Sequence, residues 1–193
     1  MDIVFLSYDE PNAQSQFEKL RKSYPRAKWC KGINMRSLAY ITAAQMSETD
    51  YFFFVTPKQD LVESFKFDFQ PDRMKNPCHY IFNARNPVTG LEYGHGAVLL
   101  YNKKLVMETA RPGLDFTLSA PHDYVPILSC VNRFNQTAIM SWRTTFREVL
   151  KLLQMTPTVE SKYRLKKWMQ LGTDKYADYV YLAAKDATEY YQQ

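Results

Sequence analysis

In residues 51–60, YFFFVTPKQD, an apolar run is followed by a hydroxyl at Thr56, an ammonium at Lys58 and a carboxylate at Asp60. The apolar run predicts a buried strand, and the chain then breaks at Pro57. Two aspartates spaced Asp-x-Asp after such a strand would bind a divalent cation through their oxygens. Here Thr56 and Lys58 stand at those two positions, and the nearest carboxylate is Asp60. The stretch raises the question whether a protein cation replaces a metal ion.

Positive charge is concentrated in two other places. Seven cations and no acid occur between Lys19 and Arg36. This run favours contact with nucleic acid or a phosphorylated ligand, and an ordinary solvated helix face is the alternative. Arg143, Arg147 and Lys151 recur every four residues, so they are expected to form a basic stripe along one helix.

A predicted β-α-β-α-β start must position the polar residues. The runs DIVFLSY, AKWC and YFFFV predict strands, and residues 13–24 and 34–47 predict helices between them. This alternation favours a parallel sheet with helices on its faces. Ligands bind at the carboxyl ends of such strands, where Asp9, Glu10 and residues 56–60 would lie.

After the third strand the pattern changes. FKFDFQ and CHYIFNAR alternate as strands do, AVLLYNKKLVM predicts a strand or hairpin, and NPVTGLEYGHG predicts a loop. Residues 138–153 predict an amphipathic helix, and helices follow near residues 163–171 and 176–190. We therefore predict an α/β fold, a Rossmann-like mixed sheet flanked by helices. It forms a single domain over residues 1–193 with a helical C-terminal segment over about 138–193.

Composition bounds the class of protein. The chain has 193 residues, 46% hydrophobic and 15% aromatic, with a net charge of +5, which predicts a folded basic domain rich in tyrosine faces for sugars or bases. Three widely spaced cysteines favour a reducing cytoplasm. MDIVFLSYDE predicts a first strand rather than a signal peptide, and no apolar run is long enough for a membrane span. The glycine fingerprints of dinucleotide-binding and P-loop proteins are missing from the sequence.

Five segments carry a resemblance over nearly the whole chain. They are DIVFLSYDEPNA, KGINMRSLAYITAAQMSETDYFFFV, ARNPVTGLEYGHGAVLLY, VNRFNQTAIMSWRTTFREVLKL and LKKWMQLG. In this order they resemble a bacteriophage family of small nucleotide-sugar-dependent glycosyltransferases with the GT-A fold. The chain is also similar to the 5-hydroxymethylcytosine DNA arabinosyltransferases of T-even-like phages. The resemblance implies a GT-A-like fold and glycosyl transfer.

The resemblance implies that the sugar donor lies along the strand ends. It gives nucleoside contacts to Asp9 and Glu10, and it places Lys31 and Gly32 beside the nucleotide. A helix N-cap at Asp9 and a plain surface cation at Lys31 are the alternatives. The further donor-binding candidates are Thr56, Asp60, Arg143 and Arg147.

The FFFV strand departs from the family pattern, in which it usually runs into Asp-x-Asp. A metal ion there would stabilise the charge that grows on the leaving diphosphate, and a positioned cation can do the same. We therefore predict that Lys58, with Arg143 or Arg147, replaces the metal. The alternatives are Mn²⁺ or Mg²⁺ held by Asp60, and a protein that has lost catalysis.

The resemblance places the acceptor beside YGHGAV, where the glycines would let the backbone approach a ligand or simply form a tight turn. The acceptor-side residues are Tyr93, Gly94, His95, Gly96 and Arg133. If a hydroxyl is the acceptor and configuration inverts, a general base is needed. Asp123 is the first candidate and Glu148 the second, although Glu148 could instead pair with a basic neighbour.

These residues together predict an enzyme of the host cytoplasm. It would transfer a sugar from a UDP-linked donor, with UDP-arabinose as the first choice, to 5-hydroxymethylcytosine in double-stranded DNA. Such an enzyme must flip the base out of the duplex and hold the backbone through cations. The alternatives are a glycosyltransferase with a glycan or protein acceptor, and a non-catalytic domain that binds nucleotide sugars or DNA. The sequence leaves the donor sugar, the stereochemistry, the metal requirement and the oligomeric state open.

Overall fold

The computed structural model describes residues 1–112 and 116–193. The strands are β1 (Asp2–Ser7), β2 (Lys28–Lys31), β3 (Tyr51–Val55), β4 (Gln59–Leu61), β5 (His79–Arg85), β6 (Glu92–Asn102) and β7 (His122–Asn132). The helices are α1 (Ala13–Ser23), α2 (Arg36–Met46), α3 (Lys103–Thr109), α4 (Phe116–Ser119), α5 (Ala138–Gln154), α6 (Val159–Trp168) and α7 (Ala177–Gln192).

The strands form one mixed sheet in the order β2-β1-β3-β6-β5-β7-β4. Strand β1 pairs in parallel with both β2 and β3, and Val4 lies opposite Lys28 on one side and Phe54 on the other. Strand β6 runs antiparallel to β3, with Val98 opposite Val55. The α/β fold class expected for a GT-A-like chain, a mixed sheet flanked by helices, is confirmed.

The chain divides into two compact units. The first comprises Met1–Ala84 and Tyr93–Cys130, and the second comprises Arg85–Glu92 and Val131–Gln193. The second unit contains the predicted helical C-terminal segment. That the whole chain acts as one domain stays a prediction.

The first unit buries both faces of its sheet. Alternate side chains of a strand point to opposite faces, so Phe53 joins one apolar cluster while Phe52 and Phe54 join another. Helix α1 covers the first cluster with Phe17 and Leu20, and α2 covers the second with small alanines. Because a buried aromatic side chain stabilises a fold by about 1.5–3 kcal/mol, this triplet of phenylalanines anchors β3 in the centre of the sheet.

The second unit packs α5, α6 and α7 around Trp168, which is fully buried. Thr137 and Thr158 begin α5 and α6 because their side chains accept hydrogen bonds from backbone N–H groups of the first turn. The indole of Trp142 on α5 donates to Asp186 on α7 at 2.8 Å. None of the helices that residues 1–112 and 116–193 form is long and apolar enough to cross a membrane.

Three predicted elements differ from the structure. FKFDFQ is not a strand, because Phe65, Phe67 and Phe69 pack onto the core from an irregular segment without joining the sheet. AVLLYNKKLVM is strand only as far as Asn102, whose side chain accepts from the Leu105 N–H and so begins α3. The YGHG segment belongs to β6 rather than to a loop.

Candidate functional site

The carboxyl ends of β1 and β3 lie side by side, with Phe5 paired to Val55. The buried hydroxyl of Ser7, at the end of β1, accepts from the indole of Trp29 at 2.8 Å. The carbonyl of Ser7 accepts from the Gly32 N–H at 3.0 Å. Gly32 has a φ of 73°, which glycine adopts without steric cost. These bonds hold the ends of β1 and β2 together.

A cleft of about 340 Å³ opens at these strand ends, and we name it the strand-tip cleft. Its volume falls in the range of about 300–1,000 Å³ that is usual for small-molecule pockets. Its lining consists of Leu6, Ser7, Tyr8, Glu10, Ile33, Asn34, Met35, Arg36, Ala39, Tyr40, Thr56 and Lys58. Three of the residues predicted from the sequence, Glu10, Thr56 and Lys58, are thereby brought together.

Lys58 meets a carboxylate inside the strand-tip cleft. Its Nζ lies 3.8 Å from Oε1 of Glu10, and the two side chains are 56% and 24% exposed. The other carboxylate oxygen of Glu10 accepts from the Tyr8 N–H at 2.8 Å. An ion pair this long and this exposed contributes at most about 1 kcal/mol, so a phosphate can compete for Lys58.

The beginning of α2 forms another wall of the strand-tip cleft. Met35, just before the helix, has a φ of 129°, a strained backbone conformation for a residue with a side chain. Among the described residues, 1–112 and 116–193, no side chain caps α2, and its first turn contains Arg36 but no acidic residue. The first N–H groups of a helix and its dipole favour negative charge. This wall therefore adds to the preference for an anion.

The turn that carries Lys58 is held by hydrogen bonds on both sides. Asn12, the N-cap residue of α1, donates from its side-chain amide to the Pro57 carbonyl at 2.9 Å. The Gln59 side-chain carbonyl accepts from the Thr56 N–H at 3.2 Å and from its hydroxyl at 2.5 Å. Because Asn12 holds the N-cap position, Asp9 is not the helix cap; it is exposed and does not line the strand-tip cleft.

The carboxylates near the strand ends do not fit a divalent metal ion. Asp60 accepts a hydrogen bond from Gln16 at 3.3 Å, and Glu10 lies against Lys58. Within residues 1–112 and 116–193, no group of three or more His, Cys, Asp or Glu side chains is placed to hold a metal. The chemistry of this edge is therefore that of a lysine, a hydroxyl and a helix N-terminus.

No protein-family model matches the chain, and no curated protein matches its sequence. Among solved structures, HddC from Yersinia pseudotuberculosis is 12% identical and aligns with a TM-score of 0.40, covering 67% of this chain and 91% of its own. The mannosyltransferase PcManGT from Pyrobaculum calidifontis, in complex with GDP-Man and Mn²⁺, is 10% identical with a TM-score of 0.45. That match covers 98% of this chain and 74% of the other. Similarities this low assign neither a family nor an activity.

Two other predicted donor residues lie outside the lining of the strand-tip cleft. Lys31 is exposed, and its ammonium lies 4.7 Å from the centre of the Trp29 ring. Gly32 donates its backbone N–H to the Ser7 carbonyl. Their contact with a donor stays a prediction.

The predicted base Asp123 lies on β7 beside a different depression, which we name the Tyr124 cleft. This cleft of about 430 Å³ is lined by Phe69, Gln70, Asp72, Lys75, Tyr80, Asp123, Tyr124, Val125 and Pro126. Asp123 accepts from Lys75 at 3.0 Å, and this bond raises the pKa of the Lys75 ammonium. Burial raises the pKa of Tyr80, on the same cleft, to about 12, so its hydroxyl is protonated at neutral pH.

The YGHG segment lies next to the ring of Tyr124 at Gly94. A Cβ on Gly94 would lie 2.2 Å from the ring of Tyr124, so the close approach that this glycine permits is to the protein's own side chain. A Cβ on Gly96 would meet no atom within 4 Å. The rings of Tyr93 and His95 lie edge to face at 6.1 Å. The structure thus brings Gly94 beside the residue that follows Asp123.

The remaining predicted residues belong to the second unit. Glu148 on α5 faces Arg164 on α6 at 3.8 Å, so it pairs with a basic residue of another helix. Arg143 and Arg147 are exposed on α5, and Arg133 is exposed before it. The basic stripe of α5 is confirmed, while its role stays a prediction.

Several lining residues were not predicted as site residues from the sequence. They are Tyr8, Asn34, Met35 and Tyr40, whereas Arg36 belongs to the basic run that the sequence analysis singled out. Their positions carried a usable signal, because all but Tyr40 follow the end of a parallel strand or begin the next helix. Tyr40 is reached through helical spacing, since it lies one turn after Arg36.

Proposed function

We propose that this protein is a glycosyltransferase that moves a sugar from a UDP-linked donor to 5-hydroxymethylcytosine in phage DNA. The observation that supports this most strongly is the strand-tip cleft. It lies at the carboxyl ends of parallel strands and contains Lys58 in place of a metal-binding carboxylate. UDP-arabinose is our first choice of donor, from the family resemblance.

The diphosphate of the donor would bind between Lys58 and the start of α2. Lys58 supplies a positive charge that the Glu10 carboxylate, 3.8 Å away, partly offsets. The uncapped helix end supplies N–H donors, and Arg36 supplies a guanidinium. Tyr8, which is half exposed on the same cleft, offers a ring face to the sugar or base.

In the transfer step the acceptor hydroxyl oxygen forms a bond to the anomeric carbon of the sugar. The bond between that carbon and the β-phosphate oxygen breaks, and UDP leaves with the electron pair. Lys58 would stabilise the charge that grows on UDP, and its positive charge is in place before the reaction begins. The hydroxyl proton passes to a general base, for which Asp123 is the first candidate and Glu148 the second. Asp123 must then exchange its contact with Lys75 for the acceptor.

A DNA acceptor agrees with the charge and the chemistry of the chain. The net charge is +5, and exposed cations attract the phosphate backbone. We place the protein in the host cytoplasm, where its three cysteines, all buried as free thiols, would stay reduced.

The proposal is tested with radiolabelled UDP-sugars and three acceptors: duplex DNA with 5-hydroxymethylcytosine, the same duplex with cytosine, and a mixture of glycans. Label is expected only in the hydroxymethylated duplex. Binding of UDP-sugars without transfer to any acceptor would contradict the enzymatic proposal. Transfer to glycans alone would contradict the DNA acceptor.

Chelation tests the role of Lys58 separately. With EDTA present, transfer is expected to continue at the same rate, because the described carboxylates do not form a metal site. If EDTA abolished transfer and Mn²⁺ restored it, Lys58 would not be the replacement for a metal ion.

A further inference from the structure

A second cleft opens on the other face of the sheet edge, and we name it the α1 cleft. It measures about 180 Å³ and lies between α1 and residues 59–67. Phe5, Val55 and Phe65 are buried lining residues of this cleft. Tyr24 and Phe67 add two ring surfaces that meet edge to face at 4.8 Å. A cavity of about 150 Å³ lined by apolar residues is enough to hold a benzene ring, so the α1 cleft can take one planar ring.

The side chain of Gln59 lies in the α1 cleft, and two hydrogen bonds to its oxygen hold it in place. Gln59 is 6% exposed, and its carbonyl oxygen is held by the N–H and the hydroxyl of Thr56. The Thr56 N–H requires an acceptor, so the opposite side of the amide must be the NH₂ group. Within residues 1–112 and 116–193, the NH₂ group of Gln59 is not among the buried polar atoms that lack a partner, so it is open to the solvent of the cleft. A ring that presents an acceptor atom on its edge could take a hydrogen bond from it in place of water.

The rim of the α1 cleft carries a net positive charge. Lys19, Lys66 and Glu63 line it and are exposed, which gives two positive charges and one negative charge. Thr56 lines both the α1 cleft and the strand-tip cleft. A ring bound in the α1 cleft would therefore have exposed ammonium groups among its surroundings and would lie next to the phosphate-favouring cleft.

We propose that the α1 cleft binds a nucleobase. A nucleobase has the flat faces that the phenylalanine and tyrosine rings require, the edge acceptor that Gln59 requires, and an attached phosphate for the lysines. The inference rests on the proposed function for its two sources, since such an enzyme meets the base of its donor and the flipped base of its acceptor. The shared chemistry is a pyrimidine nucleotide.

The first test blocks the α1 cleft without removing a core side chain. Ser23 is exposed at the end of α1 and lines the cleft, so Ser23→Trp places a ring inside it. Ser15 is exposed on the same helix and does not line the cleft, so Ser15→Trp is the matched control. Dissociation constants for UDP and for 5-hydroxymethyl-2′-deoxycytidine 5′-monophosphate are measured by calorimetry on the wild type and both variants.

At least one of the two nucleotides is expected to bind to Ser23→Trp about tenfold more weakly or worse, because the variant loses the stacking of one base on aromatic side chains. No change is expected in Ser15→Trp. A loss confined to UDP identifies the donor base as the occupant. A loss confined to the deoxycytidine nucleotide identifies the acceptor base. If Ser23→Trp binds both as the wild type does, or if the wild type binds neither, the proposal is overturned.

The second test changes one group of atoms. Gln59→Glu keeps an oxygen for Thr56 and replaces the NH₂ group by a second oxygen, so a ring acceptor would meet an acceptor. Binding of the nucleotide identified above is expected to fall by about tenfold, and a melting curve checks that the variant is folded. A folded Gln59→Glu protein with wild-type affinity would contradict the assigned contact. Lys58→Ala, which leaves the α1 cleft intact, tests the donor site separately, so each proposal can fail alone.

Discussion

The strand-tip cleft and the α1 cleft share Thr56 but are built from different chemistry. The strand-tip cleft has a lysine, an arginine and an uncapped helix end, with one loose ion pair. The α1 cleft has aromatic walls and the side-chain amides of Gln16 and Gln59. Charges that stay exposed can be exchanged for a ligand's phosphates at low cost, whereas apolar walls gain most from a ring that leaves water. The difference suggests one part of a nucleotide for each cleft.

The largest expected effect comes from removing the cation of the strand-tip cleft. Lys58→Ala should lower the rate of sugar transfer by about 100-fold or more, because the charge on leaving UDP loses its partner. Lys58→Arg should recover part of the rate. Transfer to hydroxymethylated DNA is the measurement, and a rate within twofold of the wild type would show that this cleft does not carry the chemistry.

The sheet beneath both clefts should weaken in acid because of His79. Its ring is fully buried, its Nδ1 accepts from the Asn102 N–H at 3.2 Å, and burial lowers its pKa from 6.5 to about 4, with a smaller contribution from His122. Below pH 6.5 the unfolded chain takes up a proton that the folded chain does not. The contribution of His79 to stability is therefore constant above this pH and falls by about 1.4 kcal/mol per pH unit toward pH 4, or about 2 kcal/mol by pH 5.

Urea denaturation at pH 7, 6 and 5 measures this loss. His79→Asn keeps an acceptor near the Asn102 N–H but does not titrate, so its midpoint should change less with pH than that of the wild type. If the urea midpoints of the two proteins changed equally with pH, the acid sensitivity would come from groups other than His79. Comparing nucleotide binding at the same pH values then separates damage to the clefts from damage to the sheet.

A smaller effect, of opposite sign, is expected at the carboxylate of the strand-tip cleft. Glu10→Gln removes the negative charge that lies 3.8 Å from Lys58 and would repel a diphosphate. The affinity for UDP should rise by about two- to fivefold, the range of an exposed ion pair. Titration calorimetry without added metal measures it. Weaker binding would instead support the nucleoside contact that the resemblance implies for Glu10.

The smallest effect is expected at the other lysine–carboxylate pair of the first unit. Lys75→Ala removes the contact with Asp123 in the Tyr124 cleft, which shares no lining residue with the strand-tip cleft or the α1 cleft. The affinity for UDP should stay within about twofold of the wild type, since Lys75 lines neither of the clefts proposed for the donor and an exposed ion pair contributes at most about 1 kcal/mol. A larger change in UDP affinity would show that the Tyr124 cleft takes part in donor binding. The donor would then not be confined to the strand-tip cleft and the α1 cleft.

The amino-terminal half of the sheet could be predicted because its signals are local. Strand β3 follows from an apolar run, and α2 from an alanine-rich stretch. The structure of the segment with Phe65, Phe67 and Phe69 could not be predicted in this way. An alternating pattern shows which side chains face the core, but it does not show whether the backbone pairs with a neighbouring strand. Strand pairing depends on residues far apart in the chain, and a single sequence does not show which of them meet.

The candidate site was predicted only where chemistry and position coincide. Lys58, Thr56 and Glu10 were found because they follow strand ends. The ion pair between Asp123 and Lys75 was not, because it joins residues 48 positions apart. The role of the Gln59 amide was also missed, since it depends on the side-chain oxygen accepting from the N–H and the hydroxyl of Thr56.

The two outer strands of the sheet are β2 and β4, with four and three residues. Strand β2 begins at Lys28 and ends at Lys31. Short edge strands that carry lysines offer few free backbone groups with which another molecule could pair. Edge-to-edge pairing of sheets from separate molecules is therefore discouraged. The protein can reach a high concentration with little tendency to form fibrils through these edges.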